Sequence, residues 1–163
     1  MSKPLIALFA AVVAVAILVA GCGSGSDSTS SETTSSLTKA EFVKQGNAIC
    51  AMGSKEINEG FEKFANENGF SEKKQPSKAE LEEGIESIVI PGVRKEIEGI
   101  RALGIPAEEG AEAEAVLDAA EEGLKKGEED PSLLAKEESA GPFAKANKLS
   151  REYGLTKCGE EEG

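Results

Sequence analysis

The chain has 163 residues, a length that fits one modest domain, and its 18 Lys and Arg against 30 Asp and Glu give a formal net charge of -12. Such an acidic chain repels phosphate groups, so we expect no nucleic-acid partner. The chain has no His. A histidine is needed both for an ordinary Ser or Cys catalytic triad and for the Glu-x-x-His metal sites of di-iron bundles, so neither can be built. No calcium-loop spacing or phosphate-binding loop is present either, so the sequence predicts no enzyme, metal or cofactor.

The N-terminal stretch is typical of an export signal. One basic residue, Lys3, precedes an uncharged apolar block from Leu5 to Ala20, and Gly21 and Cys22 follow it. We expect residues 1–21 to be removed. An uncleaved membrane anchor is the alternative, because the block is near the shortest length that spans a bilayer. The block ends on small residues and a cysteine and not on a basic stop-transfer cluster, which favours cleavage.

The end of this block resembles the lipobox of bacterial lipoproteins. Val19, Ala20 and Gly21 stand at the three positions before the cut, and Cys22 is the first residue after it. The resemblance implies signal cleavage between Gly21 and Cys22, a lipid on Cys22, and a place on the extracytoplasmic face of the cell membrane. The membrane is then a partner through the lipid, because an acidic chain offers no basic face to anionic headgroups.

The residues after Cys22 predict a flexible tether over 22–36. Positions 23–36 hold seven Ser, three Thr, two Gly, one Asp, one Glu and no apolar side chain. Such a segment cannot offset the entropy of its own ordering, and 14 residues of it reach about 20 Å. We expect the folded domain over 37–159 and a fraying acidic tail over 160–163.

The first helix is predicted to begin at a capping box, in which Thr38 is followed three positions later by Glu41. Steps of three and four residues then give one apolar or small face over several turns. Its members are Val43, Gly46, Cys50, Gly53, Ile57, Phe61 and Phe64. The helix is expected to end near Asn68 and Gly69, since glycine suits the left-handed closing position.

The second helix repeats the capping box at Ser77 and Glu80 and is expected to end at Gly104 and Pro106. Its apolar face comprises Leu81, Ile85, Val89, Val93, Ile97, Ile100 and Leu103. Pro91 falls inside this segment, and a proline there removes a backbone hydrogen bond and clashes with the preceding turn. We therefore expect a kink or a short break.

A third helix is predicted from about Ala107 to Lys126, with acids in its first turn and lysines in its last. Its narrow buried face comprises Ala113, Val116, Leu117, Ala120 and Leu124. A fourth segment begins at Asp130 and Pro131 as N-cap and first helical residue. It carries Leu133 and Leu134, is interrupted at Gly141 and Pro142, and resumes with Phe143, Ala146, Leu149 and Tyr153. Gly154 and Leu155 then fit a Schellman motif.

Two cysteines remain once Cys22 is assigned to lipid. In an exported, oxidising setting Cys50 and Cys158 form an even pair, and a disulfide between them would staple a domain with a thin apolar core. A redox-active pair is the alternative, but such pairs usually have Cys-x-x-Cys spacing at a helix N-terminus. The sequence thus predicts an all-α, up-and-down bundle of about four helices, some kinked at proline, closed by one disulfide.

Short anchors across the domain resemble a known group of proteins. They are Phe42, Gln45, Asn47 and Cys50 near the start, Leu103 to Pro106 in the middle, and Tyr153, Gly154, Leu155 and Cys158 at the end. The pattern is similar to that of small helical lipoproteins and secreted proteins of actinobacteria and their relatives. The resemblance implies a disulfide-closed helical domain outside the plasma membrane and carries over no catalytic or binding residue.

Two roles follow as expectations. The first is a structural or interaction module of the cell envelope, which presents an acidic surface to a protein or cell-wall partner. The second is a carrier or sensor of a small apolar ligand, held in a cavity between the proline-kinked helices and lined by Ile88, Val93, Phe61 and Phe143. Asn47, beside the buried face of the first helix, is expected either to bond a neighbouring helix or to face a cavity, and the former is favoured.

Overall fold

A computed structural model describes residues 37–135 and 141–159, and the regular elements in these ranges are all helices. They are α1 (Lys39–Asn68), α2 (Lys78–Gly84), a π-helical turn (Ile85–Val89), α3 (Ile90–Ala102), α4 (Gly110–Glu129), a 3-10 helix (Pro131–Ala135) and α5 (Ala144–Tyr153). The all-α bundle is therefore confirmed. The predicted signal with Gly21 and Cys22, the tether and the acidic tail lie outside the described residues.

Both predicted capping boxes are present. The Thr38 side chain accepts from the backbone N–H of Glu41, and the Glu41 carboxylate accepts from the Thr38 N–H at 3.0 Å. Ser77 and Glu80 repeat the arrangement at the start of α2. At the other end of α1, Gly69 takes the left-handed conformation with φ 67°, as predicted. These local signals set where α1 and α2 begin and where α1 ends, because each satisfies backbone groups that the helix leaves unpaired.

The interruption predicted at Pro91 takes the form of the π-helical turn. The backbone N–H of Ile90 donates to the carbonyl of Ile85, five residues back, and the helical backbone continues from α2 through this turn into α3. A π-helical turn places residues five apart on one face. Ile85 and Ile90 are accordingly both buried, whereas the predicted Val89 is only half-buried.

Helix α1 packs antiparallel to α2 and α3 through glycines that face large side chains. An ideal Cβ placed on any of these glycines would press on its partner, at 2.7 Å for Gly60 and Ile88 and 2.5 Å for Gly92 and Ile57. Further along, the pairs are Gly99 with Ile49 and Gly84 with Phe61 and Phe64. A glycine opposite each large residue lets the helix axes approach closely, so the apolar side chains interdigitate.

Helix α3 lies at the centre of the bundle, packed against both α1 and α4, and α4 packs against α5. Glycines again face large residues: Gly123 lies under Phe143, and Gly127 lies under Leu134 of the 3-10 helix. The residues of the buried core come from α1, the π-helical turn, α3, α4, α5 and the segment that follows α5. Phe42, at 0% exposure, is its largest fully buried member, although it lies beside the face predicted for α1.

The predicted start of the third helix is wrong in detail. Helix α4 begins at Gly110 and not near Ala107, because Glu109 adopts a left-handed backbone with φ 55° and its carbonyl accepts the first helical bond, from Ala113. The fourth segment starts as a short 3-10 helix. Asp130 nevertheless caps it as predicted, since its carboxylate accepts from the Ser132 N–H at 3.0 Å.

Among the helices in the described ranges, none combines the length and the apolar character that crossing a bilayer would require.

Candidate functional site

The C-terminal segment is fastened to α1 by the predicted disulfide. Cys50, in the first half of α1, is bonded to Cys158, five residues beyond the end of α5, and their Cα atoms are 5.1 Å apart. The bond joins residues separated by 108 positions, so it ties together the two ends of the folded domain. This confirms the structural pairing that the cysteine count predicts.

Asn47 supports the same junction one turn earlier. Its Nδ2 donates to the carbonyl oxygen of Gly154 at 3.0 Å, and its Oδ1 accepts the backbone N–H of Lys157 at 2.8 Å. The amide thus bonds both sides of the segment that leads to Cys158. Of the two expectations for Asn47, the bond to neighbouring protein groups is the observed one.

Leu155 fills the space between these two attachments. Gly154 has φ 107°, and the Leu155 N–H donates to the carbonyl of Ser150 at 2.8 Å, which completes the predicted Schellman motif. The turn directs Leu155 onto Gly46 of α1, where the leucine is fully buried. The segment from Gly154 to Cys158 is therefore attached to the core.

A cavity of about 250 Å³ lies beside this junction. Apolar side chains from α3, α4, the 3-10 helix and the start of α5 form most of its wall, and the disulfide closes one side. Representative members are Val93, Ile97, Val116, Leu134 and Phe143. An apolar cavity of about 150 Å³ in another protein is large enough to bind benzene, so this one has room for a small organic molecule.

Three polar side chains interrupt the apolar wall. Glu96 enters from α3, and Asn147 and Ser150 enter from α5. Of the described residues that line the cavity, Glu96 alone carries an acidic or basic side chain, since both cysteines are in the disulfide. An apolar pocket with a few polar groups is the usual composition of a small-molecule site.

Glu96 reaches the cavity across a glycine. An ideal Cβ on Gly53 of α1 would overlap the Glu96 carboxylate, so the absence of a side chain at position 53 makes room for that group. The Oε1 atom is completely removed from solvent. Helices α1 and α3 therefore hold one carboxylate at the edge of the apolar cavity.

The predicted lining of the cavity is half correct. Val93 and Phe143 line it. Ile88 and Phe61 do not belong to its wall: Ile88 packs on Gly60, and Phe61 lies against Gly84, both at the contact of α1 with the second helical segment. For Ile88 the reason is helical phase, because the π-helical turn shifts which residues of this segment face α4 and which face α1. Phe61 lies in the second half of α1, away from the cavity.

The polar lining residues were missed, although the sequence carried a signal for them. Val93, Glu96, Ile97 and Ile100 follow steps of three, one and three, so Glu96 occupies an inward position on an otherwise apolar face. Asn147 and Ser150 follow Phe143 at steps of four and three residues, so all three lie on one face of the last helical segment. A polar residue at an inward position of an apolar face is therefore the pattern that marks this site.

A second hollow, of about 400 Å³, lies at the turn between α1 and α2. It is lined mainly by Phe61, Phe64, Phe70 and Leu81, and the rings of Phe64 and Phe70 meet edge to face with centroids 5.9 Å apart. The Lys74 ammonium lies 5.2 Å from the centre of the Phe70 ring. This hollow is shallow and exposed, and it lies at the end of α1 remote from the disulfide.

The surface carries ion pairs between neighbouring helices. Arg101 of α3 donates to Glu121 at 2.5 Å and to Asp118 at 3.1 Å, both on α4, and these bonds raise the pKa of the Arg101 guanidinium. Lys95 of α3 bonds Glu56 of α1 at 2.5 Å. All of these groups are largely exposed, and exposed pairs contribute little to stability.

The described residues form no cluster of three or more potential metal ligands, counting His, Cys, Asp and Glu. Comparison with known proteins found no match: no family model, no curated protein and no solved structure resembles this chain at a significant level. Candidate functions are therefore argued from the cavity and from the N-terminal sequence pattern.

Proposed function

We propose that this protein is an envelope lipoprotein whose helical domain carries or senses a small apolar molecule. The cavity between α3, α4 and α5 is the observation that supports the binding role. Its volume of about 250 Å³ lies between the roughly 150 Å³ that holds benzene and the roughly 300 Å³ at which pockets for larger ligands begin. Its wall is mostly apolar, so water inside it would find few partners and a ligand would displace that water readily.

The disulfide and the Asn47 bonds support this role because they hold the wall in place. Cys50 and Cys158 are part of the lining, and the residues beside them are fixed to α1. A pocket that is formed before the ligand arrives loses less conformational entropy on binding. The second apolar hollow, in contrast, has no such closure around it.

The binding role is tested by filling the cavity. Ala120 of α4 lines it, whereas Ala115 of the same helix is exposed. Ala120→Leu adds an isopropyl group inside the cavity, and Ala115→Leu adds the same group on the surface. Native mass spectrometry of the full chain purified from its own host is expected to show a bound mass in the unmodified protein and in Ala115→Leu, and none in Ala120→Leu.

Absence of any bound mass in the unmodified protein, together with no rise in melting temperature when n-octanol is added, would contradict the binding role. The acidic surface would then remain as the functional element. That outcome would favour the first expectation, a structural or interaction module of the envelope.

The membrane anchor is a separate part of the proposal and has its own test. The lipobox pattern at Val19 to Cys22 supports lipidation of Cys22. Cys22→Ala is expected to release or mislocalise the protein, as measured by fractionation and washing of membranes, while Cys50→Ala leaves it attached. If Cys22→Ala remains in the washed membrane fraction, residues 5–20 act as an uncleaved anchor and the lipidation proposal is wrong.

A further inference from the structure

We propose that the cavity selects apolar molecules that carry a basic nitrogen, with Glu96 as the counter-charge. This inference rests on the binding role proposed above and specifies the chemical class of its ligand. Its starting observation is that a carboxylate stands at the edge of a cavity whose wall is otherwise apolar, with Asn147 and Ser150 as the remaining polar side chains of the described lining.

The position of Glu96 gives its charge a strong effect. Its Oε1 atom is removed from solvent, and it lies over Gly53 between α1 and α3. Attraction between unlike charges grows as water is excluded from around them. A ligand ammonium inside the cavity is therefore drawn to Glu96, whereas a ligand carboxylate is repelled by it.

The rest of the cavity disfavours a ligand that is polar throughout. Val93, Ile97, Val116 and Leu117 offer only hydrocarbon surface, which a polar molecule could occupy only by losing hydrogen bonds to water. Asn147 and Ser150, both from α5, supply hydrogen-bonding groups on the wall opposite α3. The arrangement fits a compact amphiphile with a short hydrocarbon part and one cationic end.

Sequence position supports a specific role for this residue. Glu96 stands between Val93 and Ile97, at a position where the face of α3 is otherwise apolar. Glu98, two residues further along the same helix, is exposed. The two glutamates therefore form a matched pair in which one lines the cavity and the other faces solvent.

The test compares three ligands that share one chain and differ in charge: n-octylamine, n-octanol and n-octanoate. The full chain is held in phosphatidylcholine nanodiscs, and binding is measured from the shift in melting temperature followed by far-ultraviolet circular dichroism. In Ala120→Leu the cavity is filled, so any shift in its melting temperature comes from ligand dissolved in the lipid. This shift is subtracted from that of each other variant. The unmodified chain is expected to bind n-octylamine roughly tenfold to a hundredfold more tightly than n-octanol, and n-octanoate least.

Glu96→Gln is expected to bind n-octylamine and n-octanol equally, because the amide keeps the shape and removes the charge. Glu98→Gln is expected to keep the full preference. Gly53→Ala, which displaces the Glu96 carboxylate, is expected to weaken the preference without removing n-octanol binding. Should Glu96→Gln fail to fold, the order of the three ligands on the unmodified chain and on Gly53→Ala still decides the matter.

The outcomes separate the two proposals. Binding of n-octanol with no preference for n-octylamine, or a preference that persists in Glu96→Gln, overturns the assignment of Glu96 and leaves the apolar-ligand role standing. If none of the three ligands shifts the melting temperature beyond the Ala120→Leu value, the binding role fails and this inference fails with it.

Discussion

The two halves of α1 have the same secondary structure and very different surroundings. The buried residues of this helix are Phe42, Gly46, Cys50 and Gly53, all in its first half. From Ser54 to Asn68 the inward side chains, Ile57, Phe61 and Phe64, are only half-buried. Helix α1 has 30 residues and α4 has 20, so α1 is longer by about 15 Å at 1.5 Å per residue.

This comparison explains where the chain places its strongest constraints. The disulfide, the Asn47 hydrogen bonds and the contact of Leu155 with Gly46 all attach to the first half of α1. The second half packs on the second helical segment, where Ile57 contacts Gly92 at the start of α3 and Gly60 contacts Ile88 of the π-helical turn, and the aromatic hollow lies at the tip of this hairpin. We infer that the first half belongs to the cooperative core and that the second half opens locally at lower free energy.

Removal of the disulfide should have the largest effect. Cys50→Ser combined with Cys158→Ser is expected to lower the free energy of unfolding by about 4 kcal/mol, because the bond closes a loop of 108 residues in the unfolded chain. Chemical denaturation measures the loss. A thiol reductant should reproduce it in the unmodified protein and have no effect on the double variant.

Hydrogen exchange on the same double variant tests the difference between the halves. Amides of residues 39–53 should lose more protection than those of residues 54–68, because the disulfide at Cys50 fastens the first half to the C-terminal segment. An equal loss along the whole of α1 would mean that the helix unfolds as one unit, and the comparison would be wrong.

Two glycine substitutions provide a smaller and matched test. An ideal Cβ at Gly46 would lie 2.5 Å from Leu155, which is fully buried, whereas one at Gly60 would lie 2.7 Å from Ile88, which is only half-buried. Gly46→Ala is expected to destabilise by about 1 to 3 kcal/mol through overpacking. Gly60→Ala should be within about 1 kcal/mol of the unmodified chain, since the gain in helix propensity offsets a modest clash.

Urea denaturation of the two variants measures the difference. A larger loss for Gly60→Ala than for Gly46→Ala would show that the second half of α1 is the more tightly packed one, contrary to the burial of its side chains.

The capping boxes should give the smallest effects. Thr38→Ala and Ser77→Ala each remove a cap, which typically costs about 1 kcal/mol. Thr38 is followed by Phe42, which is fully buried, so fraying there uncovers the core and should lower the melting temperature. Ser77 leads into exposed residues, so its loss should appear mainly as faster hydrogen exchange in α2.

Acid should reduce the difference at Thr38. The hydrogen bond from the Thr38 hydroxyl, and then the bond from its backbone N–H, lower the pKa of the Glu41 carboxyl below its ordinary value of 4.5. A lowered folded-state pKa means that the stabilisation is complete above pH 4.5 and is lost as the pH falls through the folded-state value. The gap in melting temperature between Thr38→Ala and the unmodified chain should therefore narrow below pH 4.5, leaving the part due to the bond from the Glu41 N–H to the Thr38 hydroxyl, and a constant gap would exclude ionised Glu41 from the cap.

Much of the fold could be predicted from short-range patterns. Thr38 with Glu41, Ser77 with Glu80 and Gly154 with Leu155 each act within a few residues, so their geometry follows from local sequence. The disulfide was predictable for another reason, since the predicted lipidation of Cys22 leaves one pair of cysteines. The start of α4 was not, because the left-handed conformation of Glu109 has no signal in its residue type.

The candidate site was less predictable, because it depends on helical phase across several turns. The π-helical turn before Pro91 adds one residue to the turn, which brings Ile90 inward and leaves Ile88 against α1. A proline removes a backbone hydrogen bond locally. Whether the helix then kinks, breaks or forms a π-helical turn depends on what packs against each of its faces. Helical phase therefore explains why Ile88 lies outside the cavity, whereas Phe61 lies outside it because it belongs to the second half of α1, against Gly84.

The sequence by itself determined four helical segments, the capping boxes at Thr38 and Ser77, and the pairing of Cys50 with Cys158, because these depend on periodicity, on neighbours within one turn, and on a count. The tertiary structure alone decided that glycines of one helix face isoleucines of the next, that Asn47 bonds Gly154 and Lys157, and that Glu96 borders an apolar cavity. These features join residues far apart in the chain, and their register is set by how the packed helices fill space.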